Sequence, residues 1–424
     1  MKTSGNLFCG VLSAFVLFCA SAASAVTLSV DKVQQRYPWN GLVDIDYTIQ
    51  FAPGEDPIDA AKERLVFSLI DEGVSPATTN TMFYLNDCAP VPTTAGTYRV
   101  IWDANADGVT NFSNAARVEL ALCRWAPKYM IVDIHYGTET NVFDVSYMDA
   151  PPAAGGFNTE EYKGDKMVFR LIPPGSFVMG SDPSVYARKI NGSEDQHNVV
   201  LSKPFYIGIF ELTQKQYDYL MGAGTKTFAY LGAYRPADTL NYSSLRQSKA
   251  WPEDKSIPDY AILGVLRKKT GLAFDLPTDA QWEYACRAGS TGRFCNGTPS
   301  EDNETVWAHF VENIGRFSSN KTDRRCGDGD DGNTAIVGSY EPNAWGLYDM
   351  HGNVAEIVCD WLSDEICNLG QKVDPVGVPF NNGIIKRGGS IDSSPLSSTV
   401  SYKASDHYSD ARTYQGARFA LTVE

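Results

Sequence analysis

A segment rich in Pro, Gly and charged residues, DAPPAAGGFNTEEYKG at positions 149–164, divides the chain into two parts with different hydrophobic patterns. Before it, runs such as LVDIDYTIQF and TYRVIWDA are β-rich and are separated by turn residues. Several short strands with regular turns are typical of a β-sandwich, so residues 26–148 are predicted to form an all-β, immunoglobulin-like domain. The composition of the dividing segment predicts a linker over residues 149–166. Residues 167–424 are then a second domain.

The first 25 residues have the pattern of a secretory signal peptide. Lys2 is their only charged residue, an apolar run extends from Leu7 to Ala20, and Ala23-Ser24-Ala25 matches a small-residue cleavage site. The apolar run is too short to span a bilayer comfortably. We therefore expect the mature chain to be secreted or periplasmic, without insertion in a membrane.

The charge balance limits the class of partner. The chain has 36 Lys and Arg residues against 51 Asp and Glu residues, which gives a formal net charge of −15. Proteins that bind nucleic acids need clustered Lys and Arg to contact phosphates. The composition therefore argues against a nucleic-acid partner, and it suits calcium, which takes oxygen ligands.

Beyond residue 167 the pattern mixes element types. LTQKQYDYLMG has helical spacing with Thr213 as a possible N-cap, whereas residues 290–345 are mostly Gly, Asn, Asp and Ser with little periodicity. This composition predicts an α+β domain with long loops. So irregular a chain needs cross-links, and calcium and disulfides are the candidates.

Cysteines offer such cross-links. Removal of the signal peptide leaves seven, an odd number that leaves at least one thiol free in an oxidising compartment. Cys359–Cys367, which are closely spaced, and Cys88–Cys123 are the expected local disulfides. Cys286 lies in a helical pattern, where a buried thiol is expected.

Six blocks of the second part, in order, resemble the formylglycine-generating-enzyme family, also called the sulfatase-modifying factor domain. The resemblance covers about residues 167–424. It implies an irregular, loop-rich α+β fold related to C-type lectins. The blocks are FRLIPPGSFVMGS, DQHNVVLSKPFYIGIFELTQKQYDYLMG, FDLPTDAQWEYACRAG, PNAWGLYDMHGNVAEIVCDW, KRGGS and GARF.

Enzymes of this family oxidise a sulfatase cysteine to formylglycine with O2 and a copper(I) ion held by two cysteine thiolates. The resemblance places those cysteines three residues after GGS and five residues later, and here these positions are Ser393 and Ser398. Because Cu(I) is a soft ion that prefers thiolates, copper is not expected. A serine nucleophile would need a base such as His407 oriented by an acid such as Asp406, and adjacent side chains rarely reach that geometry. The family's iron-dependent branch uses a histidine cluster, whereas the five histidines here are isolated.

Calcium sites are the other property that the resemblance implies. In GLYDMHGNVAEIV the expected ligands are the side chains of Asp349 and Glu356 and the carbonyls of Gly352 and Val354. His351, within this run, is expected to pack beside the site. In the family, tryptophans usually flank the glutamate of this motif. Here Ala355 and Ile357 stand in their place, so fewer aromatic side chains surround the site.

A second family calcium site pairs an Asn and the next carbonyl with an Asp some residues on. Asn313 and Ile314 match its first half. The second half falls in CGDGDDGNT, where either Asp331 with the Asn333 carbonyl or Asp328 with Asp330 fits the pattern. A solvated acidic loop is the alternative for this stretch.

These patterns predict an exported protein with a calcium-stabilised domain that binds a protein or glycan ligand without catalysis. The competing hypothesis is an enzyme, a sulfatase-modifying oxidoreductase or another activity in the same pocket. The two hypotheses are distinguished by the residues at positions 393 and 398, because the oxidase needs cysteines there and this chain has serines.

Overall fold

The structure is a computed structural model. It describes residues 26–37, 40–53, 63–73, 78–82, 85–86, 94–104, 109, 112–113, 115–124, 127–135, 142–181, 194–247, 251–300, 303–321, 332–363, 373–378 and 383–423. The predicted signal peptide, Cys88, Asp328, Asp330, Asp331 and Cys367 lie outside these residues. Within them, no helix combines the length and the apolar character needed to cross a bilayer.

The chain divides into two compact units, and the first ends at Ala126. Its strands form two antiparallel sheets, in the orders β1-β2-β6-β5 and β4-β3-β7. The strands are β1 (Val26–Gln35), β2 (Leu42–Phe51), β3 (Glu63–Asp71), β4 (Thr78–Thr81), β5 (Leu85–Asn86), β6 (Gly96–Asp103) and β7 (Ala116–Arg124).

Strand β2 shows why this unit is β-structured. Val43, Ile45, Tyr47 and Ile49 point into the core, and the residues between them are half-exposed. Alternation with a period of two puts one face of a strand against a core. Side chains from both sheets, including Phe67 of β3, contribute to one hydrophobic cluster. The predicted β-rich character of the first part is therefore confirmed, while its immunoglobulin-like class stays a prediction.

The second unit, Pro127–Glu424, begins earlier than the sequence predicted. Tyr129–Asp133 and Asp144–Met148 are strands β8 and β9, and β8 pairs with Lys166–Ile172, strand β10. The predicted boundaries at 148 and 167 are corrected accordingly. The reason is that β8 supplies the partner strand for one edge of β10, and four of its five residues are buried.

The proposed linker is also part of this unit. Phe157 is buried and its ring lies 4.8 Å from that of Tyr129, and the Asn158 amide donates to the carbonyl of Gly338 at 2.8 Å. Pro and Gly made the segment resemble a linker, but composition does not reveal which turn residues pack. Residues 149–166 fold onto the second unit.

Further strands of this unit, in the described residues, are β11 (Gly175–Met179), β12 (His197–Leu201), β13 (Phe205–Gly208), β14 (Gly315–Arg316), β15 (His351–Gly352), β16 (Ala355–Trp361), β17 (Gly383–Arg387), β18 (Ala404–His407), β19 (Gln415–Gly416) and β20 (Ala420–Thr422). Two sheets dominate, with the orders β20-β13-β10-β8-β9 and β18-β17-β16-β19. The helices are short: α1 (Gln214–Met221), α2 (Tyr242–Leu245), α3 (Ile262–Thr270), α4 (Asp279–Arg287) and α5 (Glu304–Val311). The α+β class with few helices is confirmed.

Helix starts follow local sequence rules. Thr213 is the N-cap of α1 and forms a capping box with Gln216, as Thr278 does with Gln281 at the start of α4. Each box satisfies two backbone donors that a helix end leaves unpaired. The predicted N-cap at Thr213 is confirmed.

Helix α4 is fixed to β17 by buried ion pairs. The guanidinium of Arg387 bonds the carboxylates of Asp279 and Glu283, and Lys403 lies 2.8 Å from Asp279. All four side chains are buried. Buried charges persist only when they are paired and hydrogen-bonded. This network sets the position of the chain immediately after β17, where the Gly-Gly-Ser block lies.

The predicted Cys359–Cys367 disulfide is wrong. Cys359 is a free, fully buried thiol within β16, and its Sγ donates to the Leu276 carbonyl oxygen at 3.1 Å. Short spacing favours a local disulfide only if both side chains face each other, and Cys359 faces the core. The predicted buried thiol at Cys286 is confirmed.

Candidate functional site

The segment that carries the two serines follows β17 through a glycine pair. Gly388 and Gly389 have φ of 83° and 70°. A Cβ at Gly389 would lie 2.1 Å from Oγ of Ser398. Only glycine allows this approach, because a side chain there would overlap the hydroxyl. The block therefore holds Ser398 tightly against the turn.

Both serine hydroxyls are engaged in local hydrogen bonds. Oγ of Ser393 accepts from the backbone N–H of Ser390 at 2.9 Å and lies 3.2 Å from the Ser390 hydroxyl. Oγ of Ser398, fully buried, donates to the Ser394 carbonyl at 3.2 Å. These bonds shape the turn as side-chain to backbone bonds commonly do.

His407 and Asp406, the possible base and acid for a serine nucleophile, are engaged with other groups. Nδ1 of His407 lies 2.7 Å from the hydroxyl of Ser409, and Asp406 bonds the ammonium of Lys386. His407 and Asp406 are thus occupied elsewhere. A serine nucleophile needs a base within hydrogen-bond reach, and these two residues do not supply it.

A cavity of about 650 Å³ opens beside the serine segment, and Val400 and Ser401 are in its wall. Three of its aromatic rings form a row, with centroids 5.1 Å apart between Phe177 and Tyr284 and 5.0 Å apart between Tyr284 and Trp345. Hydroxyl-bearing residues and two arginines also line the cavity: Ser176, Ser181, Ser290, Thr291, Thr298, Arg287 and Arg293. Aromatic faces with a few placed polar groups are the usual lining of a ligand site. Sequence reasoning missed this cavity because its wall comes from five separate segments of the chain.

Asp349 is where the calcium motif predicted a ligand. It is buried with φ of 56°, and its Oδ2 accepts the N–H of Gly338 at 2.6 Å. Its Oδ1 is buried and accepts no hydrogen bond in the described structure. Burial raises the pKa of Asp349 to about 6. A buried carboxylate oxygen without a partner is costly, so Asp349 fits a cation ligand.

Glu356 is committed to other groups. Oε1 accepts from Nε and Nη2 of Arg418 at 3.1 and 2.8 Å, and Oε2 accepts from the same Nε at 3.1 Å and from Nε1 of Trp282 at 2.7 Å. All three side chains are buried. Glu356 is therefore satisfied without a metal, and a calcium ion bound to its side chain would have to displace Arg418 or Trp282.

Glu211 is a further carboxylate that sequence reasoning missed. It is fully buried; Oε2 accepts from the Asn353 amide at 2.6 Å and Oε1 from the N–H of Val354 at 3.1 Å. Burial raises its pKa well above the usual value, and the nearby charges of Asp349 and Glu356 raise it further. The signal was present in IGIFELTQ, where an acid interrupts an apolar run.

The motif's backbone reinforces this arrangement. Gly352 has φ of 79°, and a Cβ there would lie 2.1 Å from the Arg316 carbonyl oxygen. Gly352 and Val354 therefore flank Asn353 in a turn directed at Glu211. No group of three or more His, Cys, Asp or Glu side chains among the described residues is arranged to hold a metal ion. A site here would use Asp349 together with main-chain carbonyls, a mixture that calcium accepts.

The second predicted calcium site fits less well. The Asn313 carbonyl accepts from the N–H of Glu341 at 2.8 Å, and the Asn333 carbonyl accepts from Nε of Arg316 at 3.3 Å. Arg316 is buried and also donates to the carbonyl of Lys321 at 2.6 Å. The guanidinium of Arg316 therefore already bonds the Asn333 carbonyl, which was predicted to be a calcium ligand. Ile314 is buried beside Asn313, and Asp331 lies outside the described residues.

Comparison with known proteins agrees with the family resemblance of the six sequence blocks in the second part of the chain. Residues 154–423 match the family model of the sulfatase-modifying factor enzyme 1-like domain. The chain is similar to the formylglycine-generating enzyme of Bos taurus, at 26% identity over 52% of this chain and 64% of that protein. It is also similar to the chaperone protein LppX of Paenibacillus barcinonensis, at 28% identity over 50% of this chain and 77% of that protein.

Among solved structures, PvdO from Pseudomonas aeruginosa matches at 25% identity over 60% of this chain and 94% of that chain, with a TM-score of 0.49. The family model covers well over half of the chain. The chain spans less than two thirds of the length of the bovine enzyme. This chain belongs to the sulfatase-modifying factor family.

Proposed function

We propose that this chain is a non-catalytic member of its family, whose second unit recognises a ligand. The observation that carries the proposal is the serine pair at the positions of the family's copper-binding cysteines. Oγ of Ser393 accepts from Ser390 N–H, and Oγ of Ser398 donates to the Ser394 carbonyl. Neutral hydroxyls are hard donors, and Cu(I) gains little from them. The competing oxidase function would need a thiolate pair at these positions.

The ligand proposed for the aromatic cavity is a glycan. Phe177, Tyr284 and Trp345 place aromatic rings in the cavity wall, and Ser176, Ser290 and neighbouring hydroxyls line the same space. Aromatic side chains contribute a large contact area, and hydroxyl groups supply hydrogen bonds that orient a polar ligand. A protein ligand that inserts one side chain is the alternative occupant, and the binding test separates the two.

Calcium is proposed as a structural ion of this unit. Oδ1 of Asp349 would hold it, with the carbonyls of Gly352 and Val354 as main-chain ligands and Glu211 as the neighbouring carboxylate. The support is electrostatic. Glu356 is ion-paired with Arg418, whereas Glu211 and Asp349 are buried, and the charge of Arg418 offsets only part of the rise in pKa that burial causes in both. A divalent cation would compensate these carboxylates and stabilise the turn that contains Asn353.

Export through the N-terminal segment, a sandwich in the first unit and a lectin-related second unit complete the proposal. An acidic, calcium-binding recognition protein suits an extracytoplasmic compartment, where the ion is plentiful. These features rest on the sequence patterns at residues 1–25 and 26–148 and on the family blocks.

The binding test uses the full chain and its Trp345→Ala variant. Immobilised glycans of varied composition are screened, and the affinity of any hit is measured by titration. Loss of a stacking ring costs about 0.5–1.5 kcal/mol, so the variant should bind up to about tenfold more weakly. Tyr260→Ala is the control, because Tyr260 is 67% exposed and does not line the cavity. Equal affinity of both variants and the wild type would reject the cavity as the site, and peptide binding that depends on Trp345 would replace the ligand class.

A further inference from the structure

A buried lysine lies against a buried aspartate where helix α4 meets the segment that precedes β18. Nζ of Lys403 is 2.8 Å from Oδ2 of Asp279, and both side chains are buried. The approach is short, yet neither atom makes a hydrogen bond within the part of the chain that the structure describes. Because a carbon–oxygen bond is about 1.2 Å long, Nζ lies within about 4 Å of the carboxyl carbon of Asp279. The contact therefore brings a buried amine close to a carboxyl carbon.

Arg387 holds the other oxygen of this carboxyl group. Its Nε donates to Oδ1 of Asp279, and its Nη2 donates to Oε2 of Glu283 at 2.9 Å. Burial alone would raise the pKa of Asp279, but the charges of Arg387 and Lys403 outweigh it and lower this pKa to about 2. The resting contact is therefore an ion pair. A donor fixed on Oδ1 is also placed to stabilise the negative charge that develops there when a nucleophile attacks the carboxyl carbon.

A third carboxyl group, that of Glu194, lies beside the pair. Glu194 is buried and accepts a hydrogen bond from the backbone N–H of Lys403. Its Oε1 is buried as well and makes no hydrogen bond with any described residue. Burial raises the pKa of Glu194 to about 7, so part of the population carries a proton at neutral pH. A buried carboxyl group in this state can give a proton to a leaving oxygen and take one from an attacking nitrogen.

We propose that Lys403 and Asp279 condense into an intrachain amide, with loss of one water, after the chain has folded. The ammonium of Lys403 first passes a proton to Oδ2 of Asp279, since a dry site removes the hydration that favours two separate charges. The free Nζ then attacks the carboxyl carbon, a carbon–nitrogen bond forms, and negative charge develops on Oδ1 against Arg387. Glu194 protonates the Oδ2 hydroxyl, the carbon–oxygen bond breaks, water leaves, and the nitrogen returns a proton to Glu194. One ammonium and one carboxylate become one amide and one water, and no oxidant or reductant takes part.

Burial separates this pair from the similar pair of Lys386 and Asp406. The Lys386 side chain is also nearly buried, but the side chain of Asp406 is 19% exposed, so water reaches its carboxyl group. Exclusion of water favours condensation and slows hydrolysis of the product. The amide would fix α4 to the chain that follows the two serines. It would provide a covalent cross-link in a unit where Cys359 is a free thiol, and it does not depend on calcium or on a glycan.

The test is tryptic digestion of the full chain after it has been held folded at pH 7 for several days and then denatured and reduced, followed by tandem mass spectrometry. We expect peptide 270–287 to be linked to peptide 388–412 at the sum of their masses minus one water, because trypsin does not cleave after an acylated Lys403. In Lys403→Arg, which keeps the positive charge, peptide 270–287 should appear unlinked. Lys386→Arg is the matched control, and it should retain the linked peptides.

The wild-type peptide map decides the matter even if Lys403→Arg does not fold. Complete cleavage after Lys403 together with a fully unlinked peptide 270–287 would overturn the proposal. So would a link from Lys403 to Glu194 or Glu283 in place of Asp279, which fragment masses of the linked peptides distinguish.

Discussion

The pairing of Arg418 with Glu356 gives the sharpest test of the structure around the calcium motif. Arg418 is fully buried; besides bonding both oxygens of Glu356, it donates to the carbonyls of Gly208 and Tyr348 at 2.8 and 2.7 Å. Arg418→Met keeps the apolar stem and removes every one of these donors. Glu356 would then retain only the N–H of Trp282. Removal of one partner of a buried ion pair costs about 3–5 kcal/mol, because the other charge stays buried without compensation.

Neutralising the stranded carboxylate should recover part of this loss. In the Arg418→Met/Glu356→Gln variant, the amide oxygen can still accept from Trp282 and no charge is left uncompensated. We expect the double variant to be more stable than Arg418→Met by about 2 kcal/mol, with the remaining loss coming from unsatisfied carbonyls. Lys268→Met serves as the control, since it removes a cation from an exposed pair with Asp259 and should cost under about 1 kcal/mol.

The assay is urea unfolding at pH 7.5 in a chelator, so that calcium does not contribute, with the free energy taken from the transition of the second unit. The reasoning fails if Arg418→Met costs less than about 1 kcal/mol, or if adding Glu356→Gln destabilises the chain further. Either result would mean that Glu356 is not held by Arg418.

Three further predictions follow from the same geometry. Asp349→Asn should abolish the rise in melting temperature that Ca²⁺ gives the wild type. The control is Asp392→Asn, which changes a half-exposed carboxylate and should leave this rise intact. An unchanged rise in Asp349→Asn would exclude Oδ1 of Asp349 as a calcium ligand. Burial raises the pKa of Glu194 to about 7, so its carboxyl favours folding below the usual pKa near 4.5 and loses that contribution as pH rises through 7. Glu194→Gln should therefore stabilise the chain by about 2 kcal/mol at pH 8 and by little at pH 4, and a pH-independent effect in chemical denaturation would contradict this. Ser393→Cys/Ser398→Cys should bind one equivalent of Cu(I) in competition with a chromogenic chelator, whereas the wild type should bind none at these positions. If the variant binds no Cu(I), the backbone around positions 393 and 398 differs from the family's copper site in more than its two ligands.

The sequence predicted local features better than long-range ones. Alternation in β2, the capping of α1 and the family blocks depend on nearby residues, and the structure agrees with them. The domain boundary failed because pairing of β8 with β10 joins segments more than 30 residues apart, and composition reveals no pairing. The Cys359–Cys367 disulfide failed because spacing carries no information about the direction of a side chain within a strand.

The candidate site shows the same limit. The DMHGNVAE motif located Asp349 and Glu356, and both are buried in the second unit. The partner of Glu356 is Arg418, 62 residues later, and the carboxylate nearest the turn is Glu211, 142 residues before Asn353. Pairings over such distances are decided by packing in three dimensions. Buried charges within apolar runs, as in IGIFELTQ and GARF, were the available signal.

The proposed lack of cysteine-oxidising activity is most directly tested by mass spectrometry of a sulfatase-type cysteine peptide incubated with the protein, Cu(I) and O2. We expect the peptide to keep its thiol over many hours, and the Ser393→Cys/Ser398→Cys variant to provide the matched scaffold with thiolate ligands. Turnover of the peptide to the aldehyde by the wild-type protein would contradict the proposal, because Ser393 and Ser398 cannot hold Cu(I) and another copper site would have to exist.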